Sequence, residues 1–439
     1  MGLMHAPSGP APVIGIDERP PFAQAVPLGL QHLVAMLLGN ITPPLIIAGG
    51  LGLEAHSTAF LLQIALVMAG LATLVQAYPL GPVGGRIPIV MGTSFAFVGG
   101  ILLIGKSHGL AAVFGACLAA AIVEVVLGFS IDSLKRLFPP LVNSIVVMLI
   151  GLTLIPIGVD YAAGGVGAAD YGSLINLGLA ALAFTVTLAL HQFGRGFLRY
   201  ASVLCGVVAS YGAAIGLGRV DFSTVREAAW FALPRPLPMG IEFHWGPILI
   251  LAFVYVISTM ETIGDISGTL LAAGREPTNR ELKGGLVADG VMSGFAALFG
   301  AFPNTSYSQN VGLVNFTGVA SRHITAIAGL FLVVLGVVPK VSALFATLPA
   351  PVIGGGGLIM FAMIFASGAA IFHQRVSPSR RNLVILAVSI GLGLGAELRP
   401  QALQSLPEGV AGFLRAGLVT GGLAALLLNL ILPQDDPSP

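Results

Sequence analysis

Apolar stretches of roughly 20 residues, the length that carries a helix across a bilayer, recur along the whole chain with short polar interruptions between them. They predict fourteen segments, near 25–50, 57–77, 82–104, 110–130, 140–158, 172–190, 197–217, 243–268, 284–301, 303–320, 323–346, 350–371, 382–397 and 408–432. Two of these make poor helices. "GPVGGRIPIVMGTSFAFVGG" (81–100) is dense in glycine and holds Pro82 and Pro88. "AFPNTSYSQNVGLVNFTG" (301–318) opens on Pro303 and carries Asn304, Thr305, Ser306, Ser308, Gln309 and Asn310. Non-helical backbone survives at membrane depth only where it is buried in protein or lines a cavity. Each stretch therefore reads as a short extended piece followed by a half-helix. The two pieces would pair in part near the centre and aim N–H groups and helix N-termini at a ligand. A kinked or re-entrant helix with packing glycines is the alternative.

The longest polar interruption, 218–241, divides the chain into halves of seven segments each. "GTSFAFVGG" at 92–100 matches "NTSYSQNVG" at 304–312, and "PPLVNSIV" at 139–146 matches "APVIGGGG" at 350–357 at nearly the same offset. An odd number of segments per half would invert the second copy. Interrupted segments at corresponding positions of inverted repeats mark the midplane site of secondary transporters.

Composition narrows the class. Of 439 residues 56% are hydrophobic and 9% charged, with mean hydropathy +0.94, whereas a soluble domain is about a quarter charged. The chain reads as a polytopic membrane protein, and the bilayer is its first partner. A net charge of +1 without a basic run gives no footing for nucleic acid. Cys117 and Cys205 sit in apolar runs and suggest neither a disulfide framework nor a metal site. The tail 1–24 has no apolar signal core, and 433–439 forms a short C-terminal tail. Twelve of the 20 Lys and Arg, Lys135 and Arg136 among them, fall on the side of the N-terminus and six on the other. That bias puts both termini in the cytoplasm.

Ionisable residues inside spans face a bundle interior or a cavity. Glu261 and Asp265, in "STMETIGDISGT", are four apart and share a helix face. Asp289 follows in the next segment. All three could converge on the cavity that Gln309 and Asn310 enter. A carboxylate at Glu261 accepts from two N–H groups, and Gln309 offers one acceptor and two donors. Together they suit a flat heterocycle with adjacent N–H and C=O edges. For Glu261 the alternative is a buried ion pair or a helix-packing hydrogen bond. For Asp265 and Asp289 it is capping or loop proximity. His32, in "LQHLVAM", reads as a core histidine or a site residue. Phe95 is core or a stacking ring. Glu124, the lone acid of its span, either bonds the neighbouring bundle or takes part in transport. No HExxH, Ser/His pair or paired-aspartate protease motif is present, so an enzyme is not expected.

These residues resemble the nucleobase–ascorbate transporter family. Its tenth-segment signature, Gln/Glu/Pro-Asn-x-Gly-x-x-x-x-Thr followed by Arg, Lys or Gly, is filled by Gln309, Asn310, Gly312, Thr317 and Gly318. "ETIGD" at 261–265, "LQHLVAM" at 31–37 and "TSFAF" at 93–97 resemble the family's eighth-, first- and third-segment motifs. The resemblance implies an all-α polytopic membrane protein of fourteen segments in a 7+7 inverted repeat, with short β-strands in segments 3 and 10. The repeats would be 25–217 and 242–432, joined by 218–241. A core domain would take 25–130 plus 242–346, and a gate domain 140–217 plus 350–432. Core would move against gate as an elevator, and the gate would mediate a homodimer. Glu261 and Gln309 would hold the base edge and Phe95 would stack on it. Backbone around Ser94 and Ser308 would add hydrogen bonds, and Asn310 would tune specificity. Asp289, Asp265 and His32 would support the site or couple protons.

Gln309 points to a purine, xanthine or uric acid, although Gly318 stands where many purine-type members carry a basic residue. The expected activity is symport with a proton, rather than sodium, through the bacterial inner membrane, with no cofactor. A uracil or other nucleobase symporter, a sulfate-permease-type anion transporter and a channel are the alternatives.

Overall fold

The structure is a computed structural model that describes residues 13–131 and 139–433. Lys135 and Arg136, and the tail stretches 1–12 and 434–439, lie outside the described residues. The chain begins with α1 (Phe22–Gly50) and α2 (Ala55–Ala77). Next come the strand β1 (Met91–Thr93), a 3₁₀ turn (Phe95–Phe97) and α3 (Val98–Phe129). The helices α4 (Pro140–Ala162), α5 (Leu174–Phe193) and α6 (Ser202–Gly216) complete the first half. The second half holds α7 (Trp245–Ala272), α8 (Asn279–Leu298), the strand β2 (Asn304–Ser306) and α9 (Ser308–Thr317). It continues with α10 (Arg322–Gly336), α11 (Pro339–Ala346), α12 (Ala350–Arg375), α13 (Arg380–Leu398), α14 (Glu408–Arg415) and α15 (Gly417–Ile431).

Local chemistry sets the helix starts. Pro140, Pro339 and Pro351 fall in first turns, where a missing N–H goes unnoticed. Ser173 and Ser379 accept from backbone N–H groups of the first turns of α5 and α13. Thr278 and Glu281 form a reciprocal capping box on α8.

Among the described residues, eight helices are long and apolar enough to cross a membrane, or nine if α10 and α11, bent by 82°, count as one. Among the described residues, the fourteen expected segments do not each form a full-length helix. The segments expected at 82–104 and 110–130 share one run, Phe95–Phe129, kinked at Gly109. Gly109 has φ 81°, where a side chain would be strained. At 303–320 a strand and a ten-residue helix replace a span. At 408–432 the helix breaks between Arg415 and Gly417.

The helices pack in two groups. In one, α3 packs on α7 and α8, and α10 packs on α1 and α2. In the other, α4 and α12 form a central pair, flanked by α5 with α6 and by α13 with α15. Glycines bring the central pair close: a Cβ on Gly354 would lie 2.2 Å from the Ala162 backbone nitrogen. Small residues serve this purpose where helices gain little from hydrophobic exclusion of water. Fewer contacts join the groups, mainly from α1 and α7.

Within the first group, β1 and β2 pair antiparallel in the register Met91↔Ser306, Gly92↔Thr305 and Thr93↔Asn304. The ladder is extended where Ser94 N–H donates to the Pro303 carbonyl (2.9 Å) and Tyr307 N–H to the Val90 carbonyl (3.1 Å). Two strands this short leave outer backbone groups unpaired, and helix side chains take them. Asn40 of α1 accepts from Thr93 N–H (2.7 Å), Thr73 of α2 from Met91 N–H (2.9 Å) and Ser293 of α8 from Asn304 N–H (2.9 Å). Backbone that cannot face lipid is thereby satisfied inside protein.

Candidate functional site

Both strands end where a helix begins. After β1, the Ser94 hydroxyl accepts from Ala96 N–H (3.2 Å) and starts the turn that leads into α3. After β2, α9 starts at Ser308. The long helix α7 passes both, packing on the 3₁₀ turn that follows β1, on β2 and on α9.

The two acids that share a face of α7 have different surroundings. Asp265 is buried and fully engaged: the Ser306 hydroxyl donates to Oδ2 and the Ser308 hydroxyl to Oδ1, each at 2.7 Å. It therefore clamps the end of β2 to the start of α9. Glu261, one turn earlier, is half-buried, and its buried Oε2 has no hydrogen-bond partner among the described residues. Asp289 of α8 accepts from the Thr262 hydroxyl at 2.5 Å, while its Oδ1 is buried without a partner. Glu124, fully buried on α3, accepts from the Thr259 hydroxyl at 3.5 Å, which is a bond to a neighbouring helix.

On α9, the Asn310 amide donates to the His32 carbonyl (3.1 Å) and lies 3.0 Å from its Nδ1. Both residues are buried, so His32 ties α1 to the second broken crossing. Gln309 is exposed and makes no hydrogen bond among the described residues. Phe95 is buried with its ring edge-on to Phe361 of α12, centroids 5.6 Å apart and planes at 78°. It thus stands where the two helix groups meet. A cavity of about 20 Å³ opens beside it, lined by neither Glu261 nor Gln309. Ser94 is buried, with its N–H already given to Pro303. Among the described residues, no group of three His, Cys, Asp or Glu could hold a metal ion.

Several residues that build this centre were not singled out in the sequence. Asn40, Thr73, Thr262 and Ser293 each look like an isolated polar residue in an apolar run. Tyr307 donates its hydroxyl to the Thr93 carbonyl at 2.8 Å and so links the two crossings. The signal that could have found them is the cost of burying a polar group without a partner. The final position of the signature, Gly318, caps α9 in the left-handed region (φ 66°). Its carbonyl accepts from Ile14 N–H (3.3 Å), so the segment 14–17 before α1 docks there.

The comparisons with known proteins agree with this organisation. The family model Xan_ur_permease, described as a permease family, matches residues 23–401. The chain belongs to this family, the nucleobase–ascorbate transporters. It is 37% identical over 426 residues to the uric acid permease PucK of Bacillus subtilis, covering 96% of this chain and 99% of that one. It is 36% identical over 438 residues to the xanthine permease XanP of Escherichia coli, covering 96% and 94%. It is 34% identical over 411 residues to a xanthine permease of Bacillus subtilis, covering 93% and 94%.

Among solved structures, the transmembrane domain of the cyanobacterial bicarbonate transporter BicA superposes with TM-score 0.60 at 15% identity, covering 95% of this chain and all of that one. The murine anion transporter Slc26a9 superposes with TM-score 0.62 at 12% identity, covering 93% and 68%. These two likenesses establish the fold. The transporter is a multi-pass membrane protein and not an enzyme.

Proposed function

We propose that the transporter takes up a purine nucleobase, xanthine or uric acid, in symport with a proton. The observation that carries this reading is the contrast between two acids on one helix face. Asp265 is saturated by Ser306 and Ser308, whereas Glu261 keeps a buried oxygen without a partner beside the broken crossings. Burying such an oxygen is unfavourable unless something donates to it, and a purine N–H edge is a donor of the right kind. Gln309, unbonded and exposed on α9, supplies the complementary amide. Phe95 offers a ring for the face of the base. Asn310 and His32 brace the second crossing, and Asp289, with one oxygen unpartnered, joins Asp265 and His32 as a group that relays or supports the coupling proton. Relatives named as uric acid and xanthine permeases support the choice of purine.

The chain is read as two inverted repeats of seven segments, 25–217 and 242–432, with fourteen segments in all and both termini cytoplasmic. Paired packings support this: α3 on α8 mirrors α10 on α2, and α5 on α6 mirrors α13 on α15. The core, 25–130 plus 242–346, slides against the gate, 140–217 plus 350–432, and the gate forms a homodimer. The sparse contacts between the two helix groups suit such a movement. Carboxylates rather than cations at the centre weigh against an inorganic anion such as sulfate, despite the anion transporters that share the fold.

Uptake of labelled xanthine by cells expressing the protein tests the reading, with unlabelled xanthine, uric acid, guanine, uracil and sulfate as competitors. Xanthine or uric acid is expected to compete best and a protonophore to collapse accumulation. Competition by sulfate, or full accumulation driven by a sodium gradient with the protonophore present, contradicts it.

A further inference from the structure

The seam between the two helix groups holds a carboxylate that the broken crossings and the signature do not account for. Glu397 lies in the last turn of α13, and its Oε2 accepts from the N–H of Gly417, the first residue of α15, at 2.8 Å. This bond caps the helix that follows and explains one oxygen. The other, Oε1, has no hydrogen-bond partner among the described residues. It approaches the opposite group, because a Cβ built on Gly99 would sit 4.0 Å from it. Gly99 lies in the first turn of α3, four residues after Phe95. Glu397 lines the same cavity as Phe95, Gly99, Thr153 and Gly417. The cavity measures about 20 Å³, room for one water with the groups in this arrangement.

An aromatic ring on one wall and a carboxylate oxygen on the other form a surface for a flat solute that carries ring N–H groups. We propose that Glu397 is a specificity-determining residue on the gate side of the transport path. Its Oε1 accepts a hydrogen bond from a ring N–H of the purine while Phe95 covers the face of the base, as the two groups separate. Glu261 and Gln309 read the base from the core, and Glu397 reads it across the seam. The inference rests on the purine reading above.

Uptake kinetics of the full-length transporter and of Glu397→Gln, Glu397→Asp and Glu397→Ala, with xanthine and its 1-, 3-, 7- and 9-methyl isomers as competitors, test it. Glutamine retains an oxygen that can cap Gly417 but places an amide NH2, a donor, where the acceptor Oε1 stood. At wild-type membrane levels, Glu397→Gln should raise KM for xanthine about tenfold, the size expected for one hydrogen bond to a charged group. It should also erase the wild-type penalty against the isomer methylated at the contacted nitrogen. Glu397→Asp, which keeps the charge on a shorter stem, should fall between. If Glu397→Gln and Glu397→Asp match wild type in KM and in methyl discrimination while only Glu397→Ala is impaired, Glu397 is a helix cap and the proposal is overturned. Wild-type uptake that no purine competes would instead remove the transport reading, and this inference with it.

Discussion

The two broken crossings share a backbone and differ in chemistry. Each runs strand, turn, helix, and the strands pair residue for residue. The first, 91–98, reads Met-Gly-Thr-Ser-Phe-Ala-Phe-Val, and every one of those residues is buried. The second, 304–311, reads Asn-Thr-Ser-Tyr-Ser-Gln-Asn-Val; it exposes Ser308 and Gln309 and binds Asp265, His32 and Ser293. Counted from the shared Thr-Ser-aromatic triplet, Gly92 corresponds to Asn304 and Phe97 to Gln309. One copy therefore supplies close packing and an aromatic ring, while the other supplies hydrogen bonds. The paired strands give the two crossings a shared backbone frame, and their side chains make that frame chemically one-sided.

The largest expected effect tests the polar side. Glu261→Gln should weaken xanthine binding roughly 10- to 100-fold, from the about 1.5–3 kcal/mol of a hydrogen bond to a charged group. Unchanged binding at normal membrane levels would contradict the role of Glu261 as the acceptor for the base edge.

Gly92→Ala tests the packed side. Its Cβ would lie 2.7 Å from the Tyr307 ring and 2.9 Å from Asn40 Oδ1. Overpacking of this kind costs about 1–3 kcal/mol, so detergent-solubilised protein should melt earlier. A melting point equal to wild type would mean that the crossings are not tightly packed.

One serine from each crossing sharpens the contrast. Ser308→Ala removes one of two hydroxyls from Asp265 and should lower xanthine uptake several-fold. Ser94→Ala removes only a local cap, worth about 1 kcal/mol of stability, and should leave KM unchanged. Equal loss of uptake in both would contradict the division of labour.

The smallest effect concerns the segment 14–17 that braces the second crossing. The hydrogen bond from Arg322 Nε (2.6 Å), with Arg86 nearby, holds the Asp17 carboxyl below its ordinary range. A depressed folded value means that the stabilisation is present above the unfolded value of about 4 and is lost as pH falls through the folded one. Asp17 is largely exposed, so the effect should stay within the about 1 kcal/mol of surface pairs. The melting difference between wild type and Asp17→Asn should be constant from pH 7 to 5 and close on further acidification. A difference that widens with acid would contradict the pairing.

Much of this was legible in the sequence because it is local. The apolar runs, the glycine- and proline-rich interruptions and the repeated Thr-Ser-aromatic triplet each lie within one segment. The spacing of Glu261 and Asp265 likewise placed them on one face. What separates them was not legible, since the serines that saturate Asp265 lie 41 and 43 residues away. Asn40 reaches Thr93 across 53 residues, and Tyr161 of α4 donates to the Leu45 carbonyl across 116. Such partners depend on which helices become neighbours, and no hydrophobic period encodes that. The joining of 82–104 and 110–130 into one run kinked at Gly109, and the break within 408–432, were not legible for a related reason: apolar length alone does not place a kink or a break.

A map of the transporter with xanthine bound addresses the central claim most directly. The base should lie at the junction of β1 and β2 with its rim within hydrogen-bonding distance of the Glu261 carboxylate and the Gln309 amide. Density elsewhere in the protein, or a Glu261 side chain turned away from the base, would contradict it.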